Sequence, residues 1–138
     1  MRVDLTRRGD YAVRAMLDLA RHDDGDARRS VREIAAAMDI PVHFLPQVMS
    51  DLTRAGLVEA QAGRTGGYRL RREATDIRLL DVVEAIEGDS RLATCVLRGG
   101  PCGQDGFCDV HAVFAAAQEG VRAPLAATTL ADLAARRS

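Results

Sequence analysis

Lysine and tryptophan are absent from this 138-residue chain, and aromatic residues make up only 4% of it. Without lysine there is no Schiff-base or catalytic lysine, and a phosphate-cradling G-x-x-x-x-G-K-S/T loop is excluded. So few rings argue against a stacking platform for single-stranded nucleic acid. Long apolar runs are missing as well. The longest stretch free of Asp, Glu and Arg is Ile40–Ser50, 11 residues with two prolines. A bilayer span needs about 18 or more apolar residues, so no membrane partner is expected. The opening Met-Arg-Val-Asp-Leu-Thr-Arg-Arg has no apolar core, so no signal peptide is expected and the site of action is expected to be cytoplasmic. Cysteine is scarce and unevenly placed: three residues, all within Cys95–Cys108. An odd, clustered set in a chain not expected to be exported points to metal or redox chemistry rather than a disulfide framework.

What is present is ordinary for a globular protein, with 47% hydrophobic and 28% charged residues. The length fits one domain-sized chain that folds without disulfide staples. Formal net charge is −1, so no global field draws the chain to nucleic acid. The total hides an asymmetry. Residues 1–75 carry 13 arginines against 11 acids, and residues 76–138 carry 6 against 9. The front half is mildly basic and the back half acidic.

Thr6 is placed to cap a first helix through Arg21, in which Ala12, Ala15, Met16 and Leu19 share one face. Asp23-Asp24-Gly25-Asp26 ends it. Ser30 and Glu33 form a capping box for a second helix carrying Val31, Ile34, Ala35 and Met38. Asp39-Ile40-Pro41 is a short break. A third helix is expected from about Pro41 or His43 to Ala55, with Phe44, Leu45, Val48, Met49 and Leu52 turned inward, Pro46 in the first turn and Gly56 as its stop. Leu57–Gln61 and Tyr68–Leu70 flank a Gly-rich tip, the pattern of a hairpin. This order predicts a mainly α fold: a winged helix-turn-helix with a small β-hairpin wing over residues 1–75. In residues 76–138, a fourth helix (Leu79–Glu87) precedes a Gly- and Cys-rich loop. A long helix from Asp109 to about Ala126 follows, with a stripe of Val110, Val113, Phe114, Ala117, Val121 and Leu125. Thr128 and Thr129 cap a short last helix, Leu130–Ala135. The stripe suits either core packing or a homodimer that sets two recognition helices on two half-sites.

Two constellations carry chemistry. A recognition helix enters the major groove with its N-terminal residues, which puts His43, Phe44 and Gln47 near base edges, Gln being a natural partner of adenine. Phosphate contacts are expected from Arg2, Arg7, Arg8 and Arg64, and from the amides that follow Ser30. The competing reading is a winged helix used for protein contacts, its arginines merely solvated. The second constellation is Cys95-x6-Cys102-x5-Cys108-x2-His111. Thiolates suit iron–sulfur clusters, zinc or Cu(I), and these gaps are wider than the usual C-x2-4-C of zinc sites. Chemistry alone leaves an iron–sulfur cluster, zinc and unliganded thiols open.

Several segments together resemble the IscR/NsrR type of bacterial regulators (the Rrf-two family). They are Leu5-Thr6-x-x-Gly9-x-Tyr11-Ala12-Val13-x-Ala15-Met16, Ile34-Ala35 with Ile40, and Leu52-x-x-Ala55-Gly56-Leu57-Val58. The wing Gly66-Gly67-Tyr68-x-Leu70, the three-cysteine loop and Thr129-Leu130-x-Asp132-Leu133 match too. The resemblance implies a cytoplasmic homodimeric transcription regulator, often with a 2Fe–2S or 4Fe–4S cluster that alters binding to a double-stranded DNA operator. It implies Cys95, Cys102 and Cys108 as cluster ligands, with the first gap one residue longer than usual. His111 matches the histidine ligand of the IscR branch. Asp10 matches the aspartate that the NsrR branch supplies from the partner subunit, so the fourth ligand stays open between the two. Pro46 stands where IscR has a base-reading Glu, and Ala62 replaces a wing Arg, so a different operator is expected. The leading expectation is a repressor that senses redox state, iron–sulfur status or nitric oxide through its cluster. The alternative is a zinc-structured or thiol–disulfide-switched DNA binder. A thiol oxidoreductase is disfavoured because the chain has no C-x-x-C and no strand–helix alternation around its cysteines, and no enzyme activity is expected.

Overall fold

The computed structural model describes residues 3–88 and 109–136. Helix α1 spans Arg7–Arg21, α2 Val31–Met38 and α3 Leu45–Arg54, followed by strands β1 (Val58–Gln61) and β2 (Gly67–Leu70). Helices α4 (Leu79–Glu87), α5 (His111–Ala127) and α6 (Leu130–Ala134) complete the order. The fold is mainly α, a winged helix-turn-helix with a two-stranded antiparallel wing.

Helices α1, α2 and α6 begin where a side chain satisfies an orphan amide. Thr6 accepts from the Gly9 amide at 3.1 Å. The α2 capping box is complete: Ser30 Oγ accepts from the Glu33 amide and Glu33 Oε1 accepts from the Ser30 amide, each at 3.1 Å. Thr129 and Asp132 repeat the device at α6. The ends are equally local. Gly56 and Gly88 have φ of 78° and 83° where α3 and α4 stop. After α2 the left-handed residue is Asp39, φ 55°, and the Ile40 amide closes back on Ala35 O at 3.0 Å.

The third helix departs from expectation at its start. Val42–Phe44 form a separate 3-10 turn, and α3 proper begins at Leu45 with Pro46 in its first turn. Proline there forfeits no helical hydrogen bond. Consequently Phe44 is only half-buried, leaning on Tyr11 with ring centroids 5.5 Å apart, rather than turned into the core. The rest of the inward set is buried: Leu45, Val48, Met49 and Leu52 are each 1% exposed or less. Each such side chain contributes about 2 kcal/mol of burial.

Among the described residues one core joins every α-helix but α5 to the wing. It includes Met16 of α1, Ile34 of α2, Met49 of α3 and Leu70 of β2, and also Ile77, Val82 of α4 and Leu130 of α6. The last segment is stitched in by the backbone: the Leu79 amide donates to Thr128 O at 2.8 Å and the Leu130 amide to Ile77 O at 2.9 Å. Helix α5 packs on α4, and Arg122 meets Glu84 at 2.8 Å. The predicted α5 stripe divides. Phe114 and Leu125 lie on the half-buried side, whereas Val113 (68% exposed) and Val121 (38%) lie on the open side with Ala117. Residues four apart hold one face while those offset by one turn away, so a stripe of this width wraps beyond what one neighbour covers.

The wing is held to the rest of the fold by a buried ion pair and a backbone bridge. Asp18 is 1% exposed, and Arg29 reaches it with Nε and a terminal nitrogen, both at 3.0 Å. The same Arg29 exchanges two backbone hydrogen bonds with Tyr68 at 2.8 Å. That approach needs a bare α-carbon next door. At Gly67, φ 126°, a Cβ would lie 2.6 Å from Arg29 O, and at Gly66 it would lie 2.0 Å from Gln61 O.

Two outcomes follow from this local chemistry. Gly67→Ala combines an unfavourable φ with a backbone collision, and is expected to cost about 2 kcal/mol or more, lowering Tm by several degrees in thermal melts. Gly25→Ala (φ 59°, with open space around it) should cost clearly less. The second outcome concerns acid. The Ser30 amide and hydroxyl, with help from Arg29, hold the Glu33 carboxyl below the usual carboxylate range against opposing desolvation. A depressed folded pKa stabilises the fold above the unfolded pKa, and that stability is lost as pH falls through the folded value. Glu33→Gln should therefore lower Tm near about pH 7 and make no difference near about pH 2. Melts across that range check it.

Candidate nucleic-acid interface

The exposed ends of α1, the 3-10 turn and α3 lie side by side. Thr6 starts α1 with its own amide donating to Glu87 Oε1 at 2.6 Å, which ties the α1 N-terminus to the end of α4. Gly9 permits this, since a Cβ there would sit 2.8 Å from Glu87 Oε1. From that anchored end Arg7 extends over the Phe44 ring, its guanidinium carbon 6.0 Å from the centroid. His43, exposed on the 3-10 turn, packs against the same ring, its centroid 4.3 Å away and its plane tilted by 36°. Arg7, His43 and Phe44 are thus brought together, with Tyr11 beneath them.

Arg8 and Gln47 also meet, through a residue that the sequence reading passed over. Asp51 lies one turn after Gln47 on α3, and its carboxylate is paired with Arg8. Gln47 Nε2 donates to Asp51 Oδ1 at 3.1 Å, and Arg54 approaches that oxygen at 3.4 Å. The i, i+4 and i, i+3 spacings from Asp51 to Gln47 and Arg54 were available in the sequence. The Arg8 contact, 43 residues away, was not. Arg8 is therefore engaged in neutralising an acid on α3.

Ser30 sits at the α2 N-terminus as expected, its hydroxyl occupied by the capping box. Arg64 is exposed at the tip of the wing, between β1 and β2. Behind it Arg69 pairs with Glu59 across the strands, in the register Glu59↔Arg69, and with Asp26 at 3.0 Å. Val42, unforeseen, is 47% exposed on the 3-10 turn. Arg14 is a second omission. It holds Asp10 at 2.9 Å and donates to Met38 O at 3.3 Å, bracing the C-terminal carbonyls of α2.

Of the proposed cluster ligands, His111 is the first residue of α5 and half-buried. Asp10 lies on α1 in its pairing with Arg14. Cys95, Cys102, Cys108 and the phosphate candidate Arg2 fall outside the described residues. Among the described residues no helix is long and apolar enough to cross a membrane.

The turn of the helix-turn-helix and the first residues of α3 are thus exposed beside arginines. The chain matches the Rrf2 family, described as "Iron-dependent Transcriptional regulator", over residues 5–136. It is 31% identical over 131 residues to the HTH-type transcriptional repressor NsrR of Streptomyces coelicolor, spanning 95% of this chain and 88% of that protein. Its fold is similar to CymR, the global cysteine regulator of B. subtilis, with a TM-score of 0.83 and 27% identity over 99% of this chain and 100% of that one. It is also similar to T. potens IscR, with a TM-score of 0.73 and 30% identity over 95% and 85% of the two chains. These relatives and neighbours are regulators rather than enzymes. The chain belongs to the Rrf2 family of DNA-binding transcription regulators.

Proposed function

We propose that this regulator is a homodimeric repressor whose affinity for a double-stranded operator is set by an iron–sulfur cluster held by Cys95, Cys102, Cys108 and His111. The observation that carries the reading is the Cys95-x6-Cys102-x5-Cys108-x2-His111 series ending on the first turn of α5. Three thiolates and an imidazole form a donor set suited to a cluster. Asp10, the other candidate for the fourth position, would come from the partner subunit; in this chain it pairs with Arg14 at 2.9 and 3.1 Å. When bound, a 2Fe–2S or 4Fe–4S cluster supplies a centre sensitive to oxidants and nitric oxide.

The chain's own residues supply the rest. His43 and Gln47 face base edges, with Phe44 as an apolar wall beside them. Arg7, Arg64 and Arg2, with the amides after Ser30, meet phosphates. Helix α5 starts at His111, packs on α4, and α4 packs on α1, so a change at His111 is transmitted through packed helices to the DNA-facing ends. Regulation requires that the two arrangements differ in affinity for DNA, not merely that the sites are connected. The open face of α5, with Val113, Ala117 and Val121, is the surface proposed to meet a second copy.

The similarity to CymR supports a second reading, in which the same thiols act without a cluster, through a disulfide. Anaerobic purification separates the readings. The first expects a coloured protein with iron and sulfide, and a colourless Cys102→Ala variant. Stoichiometric zinc, or thiols alone by native mass spectrometry, would overturn it. For the assembly, light scattering should give about twice the 14.9 kDa chain mass, and Val113→Glu with Val121→Glu should give the single-chain mass. A wild-type monomer would remove the dimer.

A further inference from the structure

The geometry points to Asp51 as a positioning residue that fixes which way the Gln47 amide faces, and so which base α3 reads. The inference rests on the reading above that Gln47 faces base edges, and it extends that reading to the specificity at one base pair.

A glutamine side chain ends in a carbonyl oxygen that only accepts and an NH2 that only donates. Free in solvent, the amide turns over readily, and either end can meet a base. In the major groove the two orientations distinguish different bases. With its oxygen and one N–H outward and adjacent, the amide matches the amino group and N7 of adenine. Where the oxygen is turned away and only the NH2 is presented, it matches the acceptors of guanine or thymine instead.

Asp51 removes this ambiguity. Its carboxylate is an acceptor only, so the group of Gln47 that lies 3.1 Å from Asp51 Oδ1 has to be the NH2. One amide hydrogen goes to Asp51. The other hydrogen and the carbonyl oxygen remain for a ligand, and Gln47 is exposed. The carboxylate is held in place by Arg8 on its other oxygen and by Arg54 at 3.4 Å, and its side chain is only 10% exposed. Arg8 has a second consequence. A lone acid on the recognition helix would repel the phosphate backbone, and its pairing with an arginine from the α1 N-terminus cancels that charge where the duplex approaches. The expected reading at this position is adenine, through an amide preset before DNA arrives.

The test is selection from a randomised duplex pool with the full chain, comparing wild type, Gln47→Ala, Asp51→Asn and Asp51→Ala. The base position that loses its preference in Gln47→Ala identifies the contact. At that position wild type should prefer adenine by roughly tenfold to a hundredfold, the discrimination of a bidentate pair. In Asp51→Asn the new amide turns its oxygen to Arg8 and its NH2 to Gln47, so the Gln47 oxygen is drawn inward. The adenine preference should fall at that position and nowhere else. Asp51→Ala should relax the same position, and serves if Asp51→Asn melts too low to assay. A purely structural role for Asp51 would instead weaken binding across all sequences in proportion to lost Tm. An adenine preference retained in both folded Asp51 variants would overturn the inference. An unchanged preference in Gln47→Ala would overturn it too, and with it the placing of Gln47 at a base.

Discussion

Arg29 and Asp18 form the contact on which the geometry of this regulator depends. A carboxylate 1% exposed is unfavourable unless a charged partner fills its lone pairs, and Arg29 does so with two parallel hydrogen bonds. Asp18 in turn holds the guanidinium more firmly in its charged form, against the desolvation that opposes it. Losing one partner of such a pair costs about 3–5 kcal/mol, because the other charge is left buried alone. The consequence reaches further than α1. The backbone of Arg29 is the rung to which Tyr68 of β2 is bonded, and Ser30, the next residue, caps α2. One side chain therefore sets the wing, the start of the helix-turn-helix and the first helix relative to each other.

A second arrangement of charge shapes the DNA-facing surface. The chain carries a net charge of −1 and no lysine, so attraction to DNA has to be local. The arginines near the groove are of two kinds. Arg7 and Arg64 are exposed and oriented by little else, suited to phosphates. Arg8 and Arg14 are committed to acids, Asp51 and Asp10, and to helix ends. In the proposed interface the exposed set would position the protein on phosphates, while Arg8, through Asp51, would bear on base reading.

Much of this fold can be read from local sequence. Thr6, the Ser30–Glu33 box, Gly56, the Gly-rich wing tip and the periodicity of α1, α3 and α4 act within one helical turn or one hairpin, so a short window contains the cause. What escapes such a window depends on distance along the chain. Asp18 with Arg29, Arg8 with Asp51, and Thr6 with Glu87 are 11, 43 and 81 residues apart. The 3-10 turn at Val42–Phe44 escaped for another reason: its apolar spacing continues that of α3, and only Pro46 marks where the helix proper can start. The stripe on α5 was visible as one band but serves two faces, because periodicity records that residues are apolar and not which neighbour covers them. The spacing of Cys95, Cys102, Cys108 and His111 is plain in the sequence, and so is the i, i+4 placing of Asp10 and Arg14, whereas the reach of Arg14 to Met38 O, 24 residues away, is not.

One chain of packed elements runs from His111 at the head of α5, through α4 and α1, to the first residues of α3. Along it, we propose, what the three cysteines and His111 hold alters the affinity for DNA. The most direct measurement is anaerobic titration of one selected duplex with cluster-loaded protein and with the same protein after its iron is removed. The two dissociation constants are expected to differ by roughly fivefold to a hundredfold, the usual range of coupling between two sites. Equal affinities, with the cluster demonstrably present in one sample and absent from the other, would contradict this proposal.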